Sequence, residues 1–231
     1  MRPWARCQAT AVAPWHLTHT MERSMDFIET LLEVRPRRRV KVRPDERPCV
    51  VVASDAQVEP GSLPGGGVLI EDPYTASKQA GWVTFIERML QIWDLDLAGL
   101  AAGRQLIALC EAAMIPIALL TWPHVFRGRS VAWYVDNTSA MHSFVKGAAS
   151  DVHLERIVTS MWIIAFHLET DIWFEWVDSG SNWADDLSRH LDRCEFSRSL
   201  GFRPVQIDDP FFRWHLAWID LWNELRGLTK E

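Results

Sequence analysis

The sequence predicts an α/β fold: a mixed five-stranded sheet in which three antiparallel strands are followed by strands that alternate with helices. Three observations predict it. Apolar runs of strand length follow one another across tight turns between residues 49 and 86. Longer stretches with apolar residues at helical spacing then separate two further runs. A strand–helix–strand crossover pairs its strands in parallel, so the later strands make the sheet mixed.

The elements follow in chain order. Thr20 to Glu33 reads as a short amphipathic helix, with Met21, Met25, Ile28, Leu31 and Leu32 on one side. A basic, proline-bounded connector follows from Arg35 to Pro44, either a solvated linker or a strap that contacts phosphates. The body begins near Pro48. Cys49–Ser54 is the first strand and Gly65-Gly66-Gly67-Val68-Leu69-Ile70 announces the second after a glycine-rich turn. No Gly-Lys-Ser/Thr follows the triple glycine, so it is not a phosphate loop. Gly81–Ile86 is the third strand.

Residues 104–121 form an apolar helix with Glu111 embedded and Pro116 inside. An interior proline costs about 3 kcal/mol, which predicts a kink or an early end. Val131–Val135 is the fourth strand, closed by Asp136. Asp151 to His167 is a helix capped by Ser150 or Asp151, and Ile172–Val177 is the fifth strand. A polar loop leads to Asp185. Beyond Arg189 comes a loop around Gly201 and Pro204, and Asp208-Asp209-Pro210 starts a last helix. That helix carries Trp214, Trp218 and Trp222 and docks either on its own domain or on a partner. The organisation is thus a leader (1–47), a body (48–190) and a Trp-rich extension (191–231).

Composition narrows the classes. With 48% hydrophobic residues in 231, the chain is globular rather than disordered. Residues 1–47 carry 10 Lys/Arg against 6 Asp/Glu, and the remainder 14 against 24. An acidic body argues against strong free-standing binding to nucleic acid, whose affinity rests on neutralised phosphates. Cys7, Cys49, Cys110 and Cys194 are scattered without metal-ligand spacing, as in a reduced compartment. No apolar run reaches the roughly 20 residues that span a bilayer, and Met1–Arg6 lacks the apolar core of a signal peptide. The expectation is an intracellular protein, cytoplasmic or nuclear, with no membrane partner.

Four acids carry the chemistry: Asp55, Glu111, Asp136 and Asp185. Each stands at a strand end, inside an apolar helix or at a loop-to-helix junction. Burying a carboxylate costs several kcal/mol unless it is paired or binds a cation. Singly, each is an ordinary acid. Together, in strand–helix–strand–helix order, they suit a site for two divalent ions about 4 Å apart, the arrangement that hydrolyses phosphodiesters. Magnesium prefers oxygen ligands and keeps waters, so carboxylates alone suffice.

Ser54-Asp55-Ala56, Leu109-Cys110-Glu111-Ala112, Val135-Asp136-Asn137-Thr138-Ser139-Ala140 and Asn182-Trp183-Ala184-Asp185-Asp186-Leu187-Ser188-Arg189 resemble the four motifs of type 1 ribonuclease H. The resemblance covers roughly residues 48–190 and is nearest to the ribonuclease H domain that follows reverse transcriptase in retrotransposons. It implies a ribonuclease H-like sheet with helices on both faces. It also implies hydrolysis of the RNA strand of an RNA–DNA hybrid with two Mg²⁺, Mn²⁺ serving as a substitute. In that reading Asp55 bridges the ions, Glu111 and Asp136 hold one, and Asp185 helps hold the other. Asn137 and Asn182 either contact the hybrid or serve as turn and cap residues. A reverse transcriptase domain in a parent polyprotein is an implied partner.

Two departures stand out. The loop Val177–Ser181 lacks the His that many cellular members carry, and His190 lies after the motif. Pro116 falls where the family has unbroken helix. The leader resembles the end of a reverse transcriptase, yet no polymerase catalytic motif is present. The alternative function is a catalytically silent module that binds nucleic acid or a protein. An integrase-like transposase fits less well, because its last acid is a Glu on the final helix.

Overall fold

A computed structural model describes residues 46–59, 61–86 and 104–207, together with Met25, Ile28 and Glu29. Most of the leader helix, the basic connector, Cys7 and the Trp-rich helix from Asp208 lie outside the described residues; Met25, Ile28 and Glu29 are helical.

The sheet has six strands in the order β5-β4-β1-β2-β3-β6. Strands β1 (Val50–Gln57), β2 (Gly65–Asp72) and β3 (Ser77–Thr84) form the expected antiparallel meander. Strands β4 (Ser130–Val135) and β5 (Asp171–Trp176) add to β1 in parallel. The expected class, a mixed α/β sheet with helices on both faces, is the observed one. The sixth strand, β6 (Pro204–Gln206), was not expected and pairs in parallel with β3, so the sheet takes in residues beyond 190.

Strand bounds differ from expectation in an instructive way. Strand β1 runs past Asp55 to Gln57, so the acid sits within the strand rather than closing it. The three glycines belong to β2 itself.

Helix α1 (Arg104–Thr121) fills the core between the sheet and α4 (Val152–His167). It runs through Pro116 without ending early. Met114, Ile115, Ile117 and Leu119 are all fully buried around that proline. At roughly 1.5–3 kcal/mol for each such side chain, their burial outweighs the approximately 3 kcal/mol of the missing bond and clash.

A four-residue helix, α2 (Pro123–Phe126), precedes β4. Helix α3 (Thr138–Lys146), also unexpected, is capped by Asn137 Oδ1, which accepts from Ala140 N at 3.0 Å. It ends at Gly147, whose φ of 67° suits glycine at a helix stop. Of the two candidate caps for α4, Asp151 is the one used, its Oδ1 accepting from the N–H groups of His153 and Leu154.

On the opposite face α5 (Asp185–His190) packs on β1 and β2. A second core of Leu69, Ala80, Leu187, Cys194 and Phe202 continues from there, Cys194 leading into α6 (Glu195–Ser199). Cys49, Cys110 and Cys194 are free thiols. Among the described residues no helix is long and apolar enough to cross a membrane.

Candidate metal centre

Three of the four acids converge. Asp55 comes from β1, Glu111 from the middle of α1 and Asp136 from the residue after β4. Each offers a carboxylate oxygen within 4.8 Å of the others. Topology explains the meeting: β1 and β4 are parallel neighbours, so the acids near their C-terminal ends share one edge of the sheet.

Several contacts aim this edge. Trp176 Nε1 donates to the Asp136 carbonyl at 3.0 Å, fixing the backbone as it leaves β4. Trp133 Nε1 donates to Ser54 Oγ at 2.9 Å beside Asp55. Ser188 Oγ lies 2.5 Å from Asp55 Oδ2 and donates to it. None of these three residues was singled out for the site by its position in the sequence. Their signal is spatial, save that Ser188 belongs to the last motif.

Asp185 stands outside the trio. It opens α5, and its Oδ1 takes Arg189 Nε at 2.9 Å and Nη2 at 2.8 Å. Its charge still reaches Asp55. Asn137, besides capping α3, stands near enough to the Glu111 carboxylate to lower its proton affinity. Asn182 is buried: its Nδ2 donates to Ser54 O at 3.1 Å and its Oδ1 accepts from Ala184 N at 3.1 Å. Asn182 thereby ties the loop before α5 to the strand that carries Asp55. His190 Nε2 lies 3.4 Å from Asp186 Oδ1.

The electrostatics are those of acids crowded out of water. Burial pushes the Asp55 carboxyl up to about 7, against the Ser188 hydrogen bond and with help from Asp136 and Asp185. Glu111 is pushed up to about 9, first by burial and then by Asp136 and Asp55, with Asn137 opposing. Among the described residues none of the trio forms a salt bridge. Glu111 Oε2 and Asp136 Oδ1 are buried side-chain oxygens without a hydrogen-bond partner. A buried polar oxygen left this way costs on the order of 1–3 kcal/mol, more when charged.

Two unpartnered oxygens within a cluster of three carboxylates fit a hard divalent cation. An all-oxygen donor set suits hard cations rather than thiolate- or imidazole-loving metals.

Among solved structures, the chain is similar to the N-terminal RNase H domain of rv2228c from Mycobacterium tuberculosis, solved as a fusion with maltose-binding protein. The two share 18% identity and a TM-score of 0.41, over 65% of this chain and 97% of that one. No family model matches the chain, and no curated protein does.

Proposed function

We propose that the protein is a divalent-metal-dependent nuclease of the ribonuclease H type that cleaves the RNA strand of RNA–DNA hybrids, with a retroelement origin. The single observation that carries this reading is the convergence of Asp55, Glu111 and Asp136 within 4.8 Å, with two of their buried oxygens unpartnered. The motifs around these acids supply the substrate class.

Asp55, Glu111 and Asp136 would hold the metal, and Asp185 is the fourth oxygen donor for a second ion. When bound, a pair of divalent ions supplies a polarised water and charge stabilisation at the scissile phosphate. Asp185 becomes available once its pair with Arg189 opens. That pair is half-exposed, so opening it costs only about 0–1 kcal/mol. Asn137, the chain neighbour of Asp136, favours the charged form of the Glu111 carboxylate. The raised proton affinities of Asp55 and Glu111 make ions and protons compete for the same oxygens, so activity rises with pH until metal displaces the protons.

One observation favours a second reading, a silent nucleic-acid- or protein-binding module: Asp185 is held by Arg189 rather than joined to the trio. A labelled RNA–DNA hybrid incubated with Mg²⁺ separates the two. Wild-type protein should cleave the RNA strand, and Asp136→Asn should lower the rate by about a thousandfold, some 4 kcal/mol of barrier. No wild-type cleavage at high protein and metal concentrations would leave the silent module standing.

A further inference from the structure

We propose that Ser188 is a positioning residue for Asp55, seated by the glycines of β2; the inference rests on the reading of the acidic trio as a metal site. Side chains alternate along a strand, so Gly65 and Gly67 address one face and Gly66 the other. A Cβ on Gly67 would stand 2.8 Å from Ser188 N, and one on Gly65 would stand 2.4 Å from Ser188 O. A Cβ on Gly66 would instead meet Met114 Sδ of α1 at 2.4 Å. Two bare positions on one face therefore admit the backbone of α5 directly onto β2.

Asp55 pairs with Gly67 across β1 and β2, so its carboxylate rises on the face where those Cβ atoms are missing. Ser188 is fully buried, with Oγ 2.5 Å from Asp55 Oδ2 and 2.9 Å from the Asp185 carbonyl. A hydroxyl has one proton to give, and 2.5 Å is the spacing of a charge-assisted bond to a carboxylate. The Asp55 carboxylate is thus held at one oxygen by a donor whose own backbone is wedged against the sheet. A ligand carboxylate fixed in this way keeps its remaining lone pairs aimed at a shared cation.

Titrating Mn²⁺ calorimetrically into the full chain tests the inference, with Asp55→Asn as the control that removes a ligand. Ser188→Ala and the near-isosteric Ser188→Cys should each weaken Mn²⁺ binding about tenfold. Their hybrid-cleavage deficit should shrink as Mg²⁺ is raised, which a general loss of packing would not produce. If Ser188→Ala does not fold, Ser188→Cys carries the test alone. Wild-type binding with both variants within twofold of it, or a deficit that persists at saturating Mg²⁺, overturns the role of Ser188 alone. Failure of the wild type itself to bind Mn²⁺ removes the metal-site reading and this inference with it.

Discussion

Two buried carboxylates on neighbouring strands are treated in opposite ways. Asp72, at the end of β2, accepts Arg129 Nη1 at 2.8 Å and Nη2 at 2.9 Å, one on each oxygen. Thr75 Oγ1 and Tyr74 N add two more donors, and Arg129 itself donates to Pro48 O. The guanidinium holds the Asp72 carboxyl down to about 2. Asp55, near the other end of the adjacent β1, has two like charges for company, and burial pushes it up to about 7. Among the described residues, the same fold that supplies a forked cation to one buried acid gives none to the acidic trio. The acidic edge is therefore left without a countercharge, which a bound divalent cation of the proposed kind would supply.

The comparison breaks first at its satisfied end. Arg129→Met leaves Asp72 buried without a countercharge, and the expected loss is about 3–5 kcal/mol by urea denaturation at pH 7. Adding Asp72→Leu to it should recover most of that loss, since a hydrophobic replacement of the whole pair is often close to neutral. A single variant as stable as wild type would show that the pair is ornamental.

At the unsatisfied end the sign reverses. An acid whose proton affinity is raised by folding keeps its proton while the unfolded chain has already lost it. Metal-free stability from Asp55 therefore falls as pH climbs from its ordinary 3.8 towards about 7, and that from Glu111 falls from 4.5 towards about 9. Asp72 behaves oppositely: its stabilisation is complete above 3.8 and is lost as pH drops towards about 2. In EDTA, unfolding free energy should thus decline between pH 5 and pH 8 by on the order of a few kcal/mol. Mn²⁺ should restore more stability at pH 8 than at pH 5, because at pH 5 protons hold its ligands. Glu111→Gln, neutral at every pH, should flatten much of the metal-free decline and make the protein more stable than wild type at pH 8. It should also lose Mn²⁺ binding. A wild-type profile without decline, or one that Glu111→Gln leaves unchanged, would contradict the assignment of these acids as uncompensated.

The satisfied and unsatisfied ends were not equally legible in the sequence. Asp55 and Asp136 could be read because each follows a run of β-branched or aromatic residues that only a central strand accommodates. Asp151 could be read as a cap for the same local reason. The pairing of Asp72 with Arg129 could not, since it joins the end of one strand to the entry of another 57 residues away. Gly65-Gly66-Gly67 misled for a related reason. Glycine speaks for a turn locally, and its use in β2 depends on Ser188 and Met114, which arrive from elsewhere in the chain. Helix α3 was overlooked although Asn137 and Gly147 flank it, because its apolar face is narrow, with Ala140 and Phe144 its buried residues. Strand β6 has three residues and exists through its pairing with β3. Pro116 argued for a break on local grounds and was overruled by packing on all sides of α1.

Asp185 offers a third, intermediate condition, an acid that is paired but half in water. Its Oδ1 takes two nitrogens of Arg189, where Asp72 takes one nitrogen of Arg129 on each oxygen, and Arg189 leaves 51% of its side chain exposed and Asp185 32%. In solvent such a pair gains little, so Asp185→Asn should shift metal-free stability by less than about 1 kcal/mol, several-fold below Arg129→Met. If burial rather than pairing geometry sets the worth of these contacts, the two variants must separate in that order under identical urea denaturation. A loss from Asp185→Asn as large as that from Arg129→Met would mean that α5 depends on Arg189 for its seat on the sheet. Asp185 would then be an anchor, and no longer a ligand free to turn towards the trio.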